Sequence, residues 1–450
     1  MTRWRIRRPP EWGVDPVPAD LRTLRAFDVF VLWSSLGVGL LVLAAGSLLV
    51  LQGLSLLETL AISLAGSLIG SLMLAAAAHH GSRAGVPTMV SLRPILGRGG
   101  SFAPTVLNVL QLLGWAAFEL LVMGYAAAVI TGNVFGPWTA AIFVPVFGAI
   151  VAALALGGPL VVVRQWLEKF AIWLVYASTA AIAVAIAIHG VDLTARPMPA
   201  AFAGPASYLL ALDLVIVMPI SWWPLVSDYN RFARRARDSA LGTTAGYAVA
   251  NTAFYVLGAA LLAFGPDFLT AIALLGLGFF PLLFILVDET DNAFANVYST
   301  AVSLQNLAPR SRQAWSILAA SGIAVAAAWL LLPGGNPFGG GYETFLLLVG
   351  GLFVPLLGVV IADSFLVRRG AYAAEEFSGT APVVQWPAFA GWIPGIVLYF
   401  AIILQWIPGF PPVGATLPSF ALAAGLHVVF ARVAASRALH GPSAPGARNG

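Results

Sequence analysis

Asp288-Glu289-Thr290-Asp291-Asn292-Ala293-Phe294-Ala295-Asn296 lies inside a segment, Phe279 to about Leu307, that otherwise reads as a membrane span. Three carboxylates and two carboxamides therefore fall where hydrocarbon is expected. A charge at the bilayer centre costs about 2.5–3.5 kcal/mol on insertion scales, so ionisable groups within spans face a cavity, a partner or an ion path. On a helix, Asp288, Asp291, Asn292, Ala295 and Asn296 are three and four apart and share one face. That face is small and polar, suited to a ligand or a cation. The stretch reads as one wall of a transport site, with the rest of the chain supplying the other walls.

Outside it the composition is that of an integral membrane protein. Hydrophobic residues make up 60% and charged residues 9% of the chain, against about a quarter charged in soluble domains. The mean hydropathy is +0.89. The apolar runs are continuous over about 20 residues rather than alternating, which selects spanning helices over a barrel. With no cysteine, disulfides, thiol catalysis and Cys-based metal sites are excluded. The histidines, His79, His80, His189, His427 and His440, show no ligand spacing. The net charge of +4 is dispersed over short loops, where it reads as topology rather than nucleic-acid binding.

The pattern predicts an all-α polytopic membrane protein with twelve transmembrane helices, at about 27–50, 54–78, 103–131, 137–157, 168–189, 207–227, 244–264, 279–307, 314–332, 344–366, 391–408 and 415–434. Residues Pro266 to Gly278 are expected to form a re-entrant or surface helix. Charge tests this order independently. Arg83, Arg93 and Arg98 follow the second span, Arg164 and Lys169 the fourth, and Arg231, Arg234, Arg235 and Arg237 the sixth. Arg310 and Arg312 follow the eighth, Arg368 and Arg369 the tenth, and Arg432, Arg437 and Arg448 lie at or beyond the end of the twelfth. Arg196 alone falls on the other side. The positive-inside rule then puts both termini in the cytoplasm of a plasma (inner) membrane. Residues 1–26 lack a compact apolar core with a cleavage site and read as a cytoplasmic tail.

Two spans carry helix-weakening residues. The first contains Trp33-Ser34-Ser35-Leu36-Gly37-Val38-Gly39 and the sixth Met218-Pro219-Ile220-Ser221-Trp222-Trp223-Pro224. A packing glycine or a proline kink explains either one alone. Paired interruptions at matching positions of two halves point instead to a transporter site. The third span adds Asn108, Gln111, Trp115 and Glu119 on one stripe, with a carboxylate one turn from an aromatic face. Glu58 and Glu343 read as solvated helix-end residues, and Asp213 and Asp363 as hydrogen-bond or ion-pair partners. Gly334 to Gly341 reads as a flexible connection, and the chain after Ala438 as a disordered tail. An intramembrane enzyme would use Asp288 and Asp291 as a catalytic pair, but they stand side by side on one helix with no metal-ligand histidine pair. A channel would need a ring of equivalent groups, which one protomer lacks.

Four stretches carry a resemblance. They are Trp12-Gly13-Val14-Asp15-Pro16-Val17-Pro18 with Phe30-Val31-Leu32-Trp33, Arg83-Ala84-Gly85-Val86-Pro87-Thr88-Met89 with Arg93-Pro94-Ile95-Leu96-Gly97-Arg98-Gly99-Gly100, Leu113-Gly114-Trp115, and Ser227-Asp228-Tyr229-Asn230-Arg231-Phe232. Together they resemble the nucleobase-cation symporters of the cytosine, purine and hydantoin permease type. The resemblance implies a leucine-transporter-type fold: a first five-helix repeat over 27–190, a second, inverted, over 207–366, two additional helices over 391–434, and a tail over 435–450. It implies that Trp115 stacks on a planar heterocycle whose edge is read by Glu119, where relatives often have glutamine, and by Asn296. Ser221 and Trp222 would be the sixth span's contribution. The coupling cation, Na+ or H+, would sit at Thr290 and Asp291 with main-chain oxygens near Leu36, Gly37 and Val287. No other cofactor is implied.

Three positions depart from the family pattern. Asp291 stands where sodium-coupled relatives carry a hydroxyl. The second stacking aromatic falls at Pro219, so Trp222 substitutes or the sandwich is one-sided. Gly37 replaces a polar side chain. The expected partners are thus a small heterocycle, a coupling cation and the bilayer. An amino-acid or amine symporter on the same fold is the alternative.

Overall fold

The computed structural model describes residues 13–158, 172–196, 199, 205–265, 267–334, 340–378, 382–406 and 413–440. Arg164, Lys169, the first twelve residues, residues 335–339 of the glycine-rich connection and the last ten residues lie outside these. The described chain is helical, with one isolated parallel bridge, Leu24 to Ala233.

Thirteen long elements carry the architecture: α1 (Ala26–Leu36), α2 (Leu40–Leu51), α3 (Leu56–Ala84), α4 (Phe102–Ile130), α5 (Thr139–Gly157), α6 (Ile172–His189), α7 (Ala206–Ser221), α8 (Ala236–Leu261), α9 (Phe280–Leu307), α10 (Gln313–Leu331), α11 (Gly340–Ala362), α12 (Trp386–Ile403) and α13 (Thr416–His440). Among the described residues, nine helices are long and apolar enough to cross a membrane, and α1 with α2 forms one further span bent by 63°. Helices α8 and α9 have 26 and 28 residues but are less apolar. Interior position explains this for α9, where every residue from Asp288 to Ser303 is buried.

Membrane helices with little hydrophobic drive to associate pack through small and polar groups. In α3, Thr59, Ser63, Ser67 and Ser71 are buried while Leu57, Leu60, Leu64, Leu68 and Leu72 are exposed. The leucine face suits lipid, and the hydroxyl face lies on α8, where Asn251 Nδ2 donates to Ser67 Oγ at 2.8 Å. Helices α1, α2, α3, α7 and α8 pack on one another; α4, α5, α9 and α10 form a second group; α11, α12 and α13 form a third.

The first span breaks where the glycines predict. The sixth does not bend in the same way. Helix α7 carries Pro219 internally and passes through a 3-10 turn at Trp223–Leu225 into a short helix, Val226–Asn230. The turn is closed by i to i+3 bonds, Trp222 N–H to the Pro219 carbonyl and Leu225 N–H to the Trp222 carbonyl, both 3.2 Å. These bonds replace the α-helical ones that proline disturbs, so the axis is tightened rather than sharply bent. The expected surface helix appears as Phe268–Leu274, capped by Asp267, whose Oδ1 accepts from Thr270 N–H at 2.9 Å. Helix α11 starts at Gly340, before the expected 344, so Gly340 and Gly341 are helical rather than part of a loop.

Two of the motif stretches meet at one point. Thr88 N–H donates to Asp228 Oδ1 at 3.0 Å while Thr88 Oγ1 accepts from Ser227 N–H at 2.8 Å. The buried Arg231 reaches the Gly13 carbonyl at 2.9 Å. Asp213 and Asp363 take the bonding roles expected of them. Asp213 accepts the Ala415 and Thr416 N–H groups at the start of α13, and Asp363 accepts from Tyr372 and pairs with His427 at 2.8 Å. Glu58 is not merely solvated, since Arg196 and Tyr208 both bond its carboxylate.

Candidate functional site

The site is built where α9 crosses the break between α1 and α2. A helix end leaves backbone N–H and carbonyl groups without partners, and in lipid these must be met by protein. Helix α9 meets two of them with side chains, and a third of its side chains binds a hydroxyl at the break. Ser35 Oγ, in the last turn of α1, donates to Asp288 Oδ1 at 2.8 Å. The Val38 carbonyl, in the break, accepts from Asn292 Nδ2 at 2.7 Å. The Leu40 N–H, at the start of α2, donates to Glu289 Oε2 at 2.7 Å. Carboxylate at a helix N-terminus also complements the peptide dipoles of α2.

Asp291 stands next to these groups. Both of its oxygens are buried, and the Ser35 hydroxyl nearby already gives its one proton to Asp288. Thr290 Oγ1 donates to the Val287 carbonyl at 2.6 Å. The expected cation ligands of α9, Thr290 and Asp291, thus lie three and four residues on from the third, Val287, and Leu36 and Gly37 belong to the α1 end of the break. Buried carboxylate oxygens lacking donors are the kind of ligand a hard cation takes.

Across from α9, α4 contributes Glu119, whose carboxyl lies within hydrogen-bonding reach of Glu289. A carboxylate only accepts hydrogen bonds, so two can bond each other only through a shared proton. One oxygen of each, Glu119 Oε2 and Glu289 Oε1, has no partner. Asn296 Nδ2 turns back to the Asn292 carbonyl at 3.1 Å. Trp115 is buried and stands edge-on to Phe345 at 5.1 Å and to Tyr342 at 6.2 Å. Its aromatic neighbours therefore come from α11. Trp222 stands edge-on to Trp33 at 6.3 Å, and Ser221 Oγ bonds the Met218 carbonyl. Asn108 and Gln111 are joined at 2.7 Å, and Asn108 binds Ser303 Oγ and the Pro224 carbonyl, tying α4 to α9 and to the sixth span.

Residues 16–420 match the family of permeases for cytosine/purines, uracil, thiamine and allantoin. The chain belongs to this family. The cytosine permease of Escherichia coli K12 is 26% identical over 383 residues, which cover 81% of this chain and 82% of that one. The hydantoin permease of Microbacterium maritypicum is 23% identical over 441 residues, covering 89% and 88%. Among solved structures, MHP1, a nucleobase-cation-symport-1 family transporter, in a closed conformation with bromovinylhydantoin bound, superposes with a TM-score of 0.80 at 19% identity, covering 95% of this chain and 96% of that one. The inward-facing conformation of Mhp1 gives 0.76 at 18% identity, covering 94% and 93%. The protein is thus a membrane permease of the nucleobase-cation symporter family with the leucine-transporter type of fold, and not an enzyme.

The sequence leaves three residues near the site of this permease without a role. Glu289 sits one position off the face assigned to Asp288 and Asn292, yet it makes the bond to α2 and the contact with Glu119. Its spacing of three and seven from Asn292 and Asn296 is the signal that would have placed it there. Tyr342 and Phe345 pack around Trp115, and Tyr342 Oη bonds the Leu41 carbonyl at 3.3 Å. Tyr342 falls before the expected start of its span, hidden by the glycines preceding it.

Proposed function

We propose that this permease is a secondary active transporter that takes up a nucleobase or related planar nitrogen heterocycle together with a cation, Na+ or H+, by alternating access. The observation that carries the reading is the clasp of α9 on the broken first span, with the unpartnered carboxylate of Asp291 beside it. A cation held between the α1 end and α9 would stabilise that clasp, so ion and substrate binding would favour one another. Trp115 would stack on the heterocycle, Glu119 and Asn296 would read its edge, and Ser221 and Trp222 would close the site from the sixth span. Ionised, Glu119 accepts two hydrogen bonds; protonated, it offers one donor and one acceptor. An amino-bearing edge satisfies either form, so cytosine-like, adenine-like or hydroxymethylpyrimidine-like compounds fit better than uracil.

Twelve spans follow if α8 and α9 cross alongside the nine apolar helices and the bent pair. The helix groups support an inverted five-plus-five repeat, because spans one, two, six and seven fall in one group and three, four, eight and nine in the other. The first group would rock against the second, with both termini in the cytoplasm. The test is uptake of radiolabelled cytosine by proteoliposomes under an imposed sodium gradient and, separately, a proton gradient, with adenine, uracil, hydroxymethylpyrimidine and hydantoin as competitors. Stimulation by one gradient is expected and names the ion. Absence of both uptake and competition by any of these in a folded sample would overturn the substrate class and send the search to amino acids and amines.

A further inference from the structure

A cavity of about 360 Å³ opens where the C-terminal end of α3 meets the segment following α11, at the end of the bundle bearing the arginine-rich loops. Arg83, Arg369, His79, Ser364, Phe365 and Tyr372 are among the residues lining it. The volume lies in the range of small-ligand sites.

Its polar floor is satisfied internally. The His80 ring bonds the Ser91 carbonyl through Nε2 and Ser364 Oγ through Nδ1, each at 3.1 Å. Tyr372 gives its proton to Asp363 at 2.6 Å, and Asp363 is also held by His427. The nearby Glu376 pairs with Arg368. The acids around the cavity therefore have partners already. Among the described residues no carboxylate lies within ion-pair distance of Arg83 or Arg369, and both arginines are exposed.

The backbone adds an independent observation. Arg369 has φ +49° and Gly370 φ +78°. The left-handed region is unfavourable for arginine, and such outliers gather at functional sites. Gly370 is also where a side chain would collide with the Arg83 guanidinium. The turn thus packs against the Arg83 guanidinium, and both arginines line the one cavity. Phe365, which lines the cavity, is 44% exposed and packs on the His79 ring at 6.0 Å, and Leu366 beside it in the chain is 56% exposed. Apolar flanks with paired arginines match the level of lipid headgroups.

We propose that this cavity binds a phosphate group between Arg83 and Arg369, carried by an anionic phospholipid headgroup or by a soluble phosphate compound. Arginine forks suit phosphate oxygens, and two arginines on one cavity with no carboxylate partner offer an anion charge-assisted hydrogen bonds from both sides.

The experiment measures thermal unfolding of the purified full-length protein in detergent with added phosphatidylglycerol, phosphatidylcholine or millimolar inorganic phosphate. Phosphatidylglycerol is expected to raise the midpoint by about 2–4 °C more than phosphatidylcholine does. Arg83→Gln and Arg369→Gly should each remove most of that difference, while Arg310→Gln, at an exposed arginine of another loop, should keep it. Arg369→Gly is the robust variant, because glycine adopts this φ without strain and the lipid-free protein should be at least as stable as the parent. An equal response to inorganic phosphate, lost in the same variants, would assign a soluble source. No preference for either phosphate probe, or a preference unchanged in Arg369→Gly, would overturn the site.

Discussion

A methyl group at Gly39 would stand 2.9 Å from Asn292 Nδ2 and 3.1 Å from Glu289 Oε2. The glycine is required by this close approach, since its φ of 162° is extended and open to any residue. Gly39→Ala should therefore force the clasp apart and cost about 1–3 kcal/mol, read as a loss of uptake larger than the loss of expressed, folded protein. Glu289→Gln keeps an acceptor for the Leu40 N–H and offers Glu119 a donor, so it should preserve folding; Glu289→Leu should not, and thermal unfolding of the two distinguishes them. Asp291→Ala is expected to abolish concentrative uptake, and accumulation against a gradient in that variant would remove Asp291 from the coupling site. For Glu119→Gln, uptake of amino-substituted rings should fall more than that of oxo rings in a competition series. At this scale the sequence is legible wherever a polar residue has no business in hydrocarbon: Asp288, Asn292 and Asp291 announce themselves. Tyr342 and Phe345 do not, because an aromatic residue is ordinary in a membrane helix and nothing local distinguishes a ring at the site from one facing lipid.

Helices pair here by bringing backbones together. A Cβ on Gly258 would lie 2.9 Å from Leu43 Cα, and one on Gly46 would lie 2.7 Å from Tyr255 Cα, so α2 and α8 cross with no room for a side chain on either. Gly258→Leu should prevent recovery of folded protein, whereas Gly425→Leu on α13, where a Cβ meets nothing within 4 Å, should leave the melting midpoint unchanged. The helices themselves are easy to read from continuous apolar runs, and their ends follow within a few residues. The sixth span is harder. Proline signals that the ladder is disturbed, but whether the axis bends or tightens into a 3-10 turn depends on neighbours such as Phe353, whose carbonyl takes the Trp223 indole N–H at 3.0 Å. Such neighbours are more than a hundred residues away in the chain.

The segment before α1 fastens one end of the molecule. Leu24 exchanges backbone bonds with Phe232 and Arg234 at 3.0 and 2.7 Å, Val17 N–H bonds the Gly85 carbonyl, and the Arg22 guanidinium reaches carbonyls of Val17 and Ala84 at 3.0 and 3.3 Å. Three segments that lie far apart in the chain are joined in this way. Arg22→Met should lower stability by about 1–3 kcal/mol, seen as an earlier thermal transition of the full-length protein. The clasp at the first span has a further consequence, one of timing. The Ser35 hydroxyl, the Val38 carbonyl and the Leu40 N–H each take a partner from α9, separated by 253, 254 and 249 positions. During synthesis, the first span thus enters the bilayer long before its partners exist. A nascent chain halted before residue 280 should carry an unstable first span that is degraded or drawn into the translocation machinery, and release of α9 should be the moment at which the amino-terminal quarter of the protein becomes resistant to proteolysis.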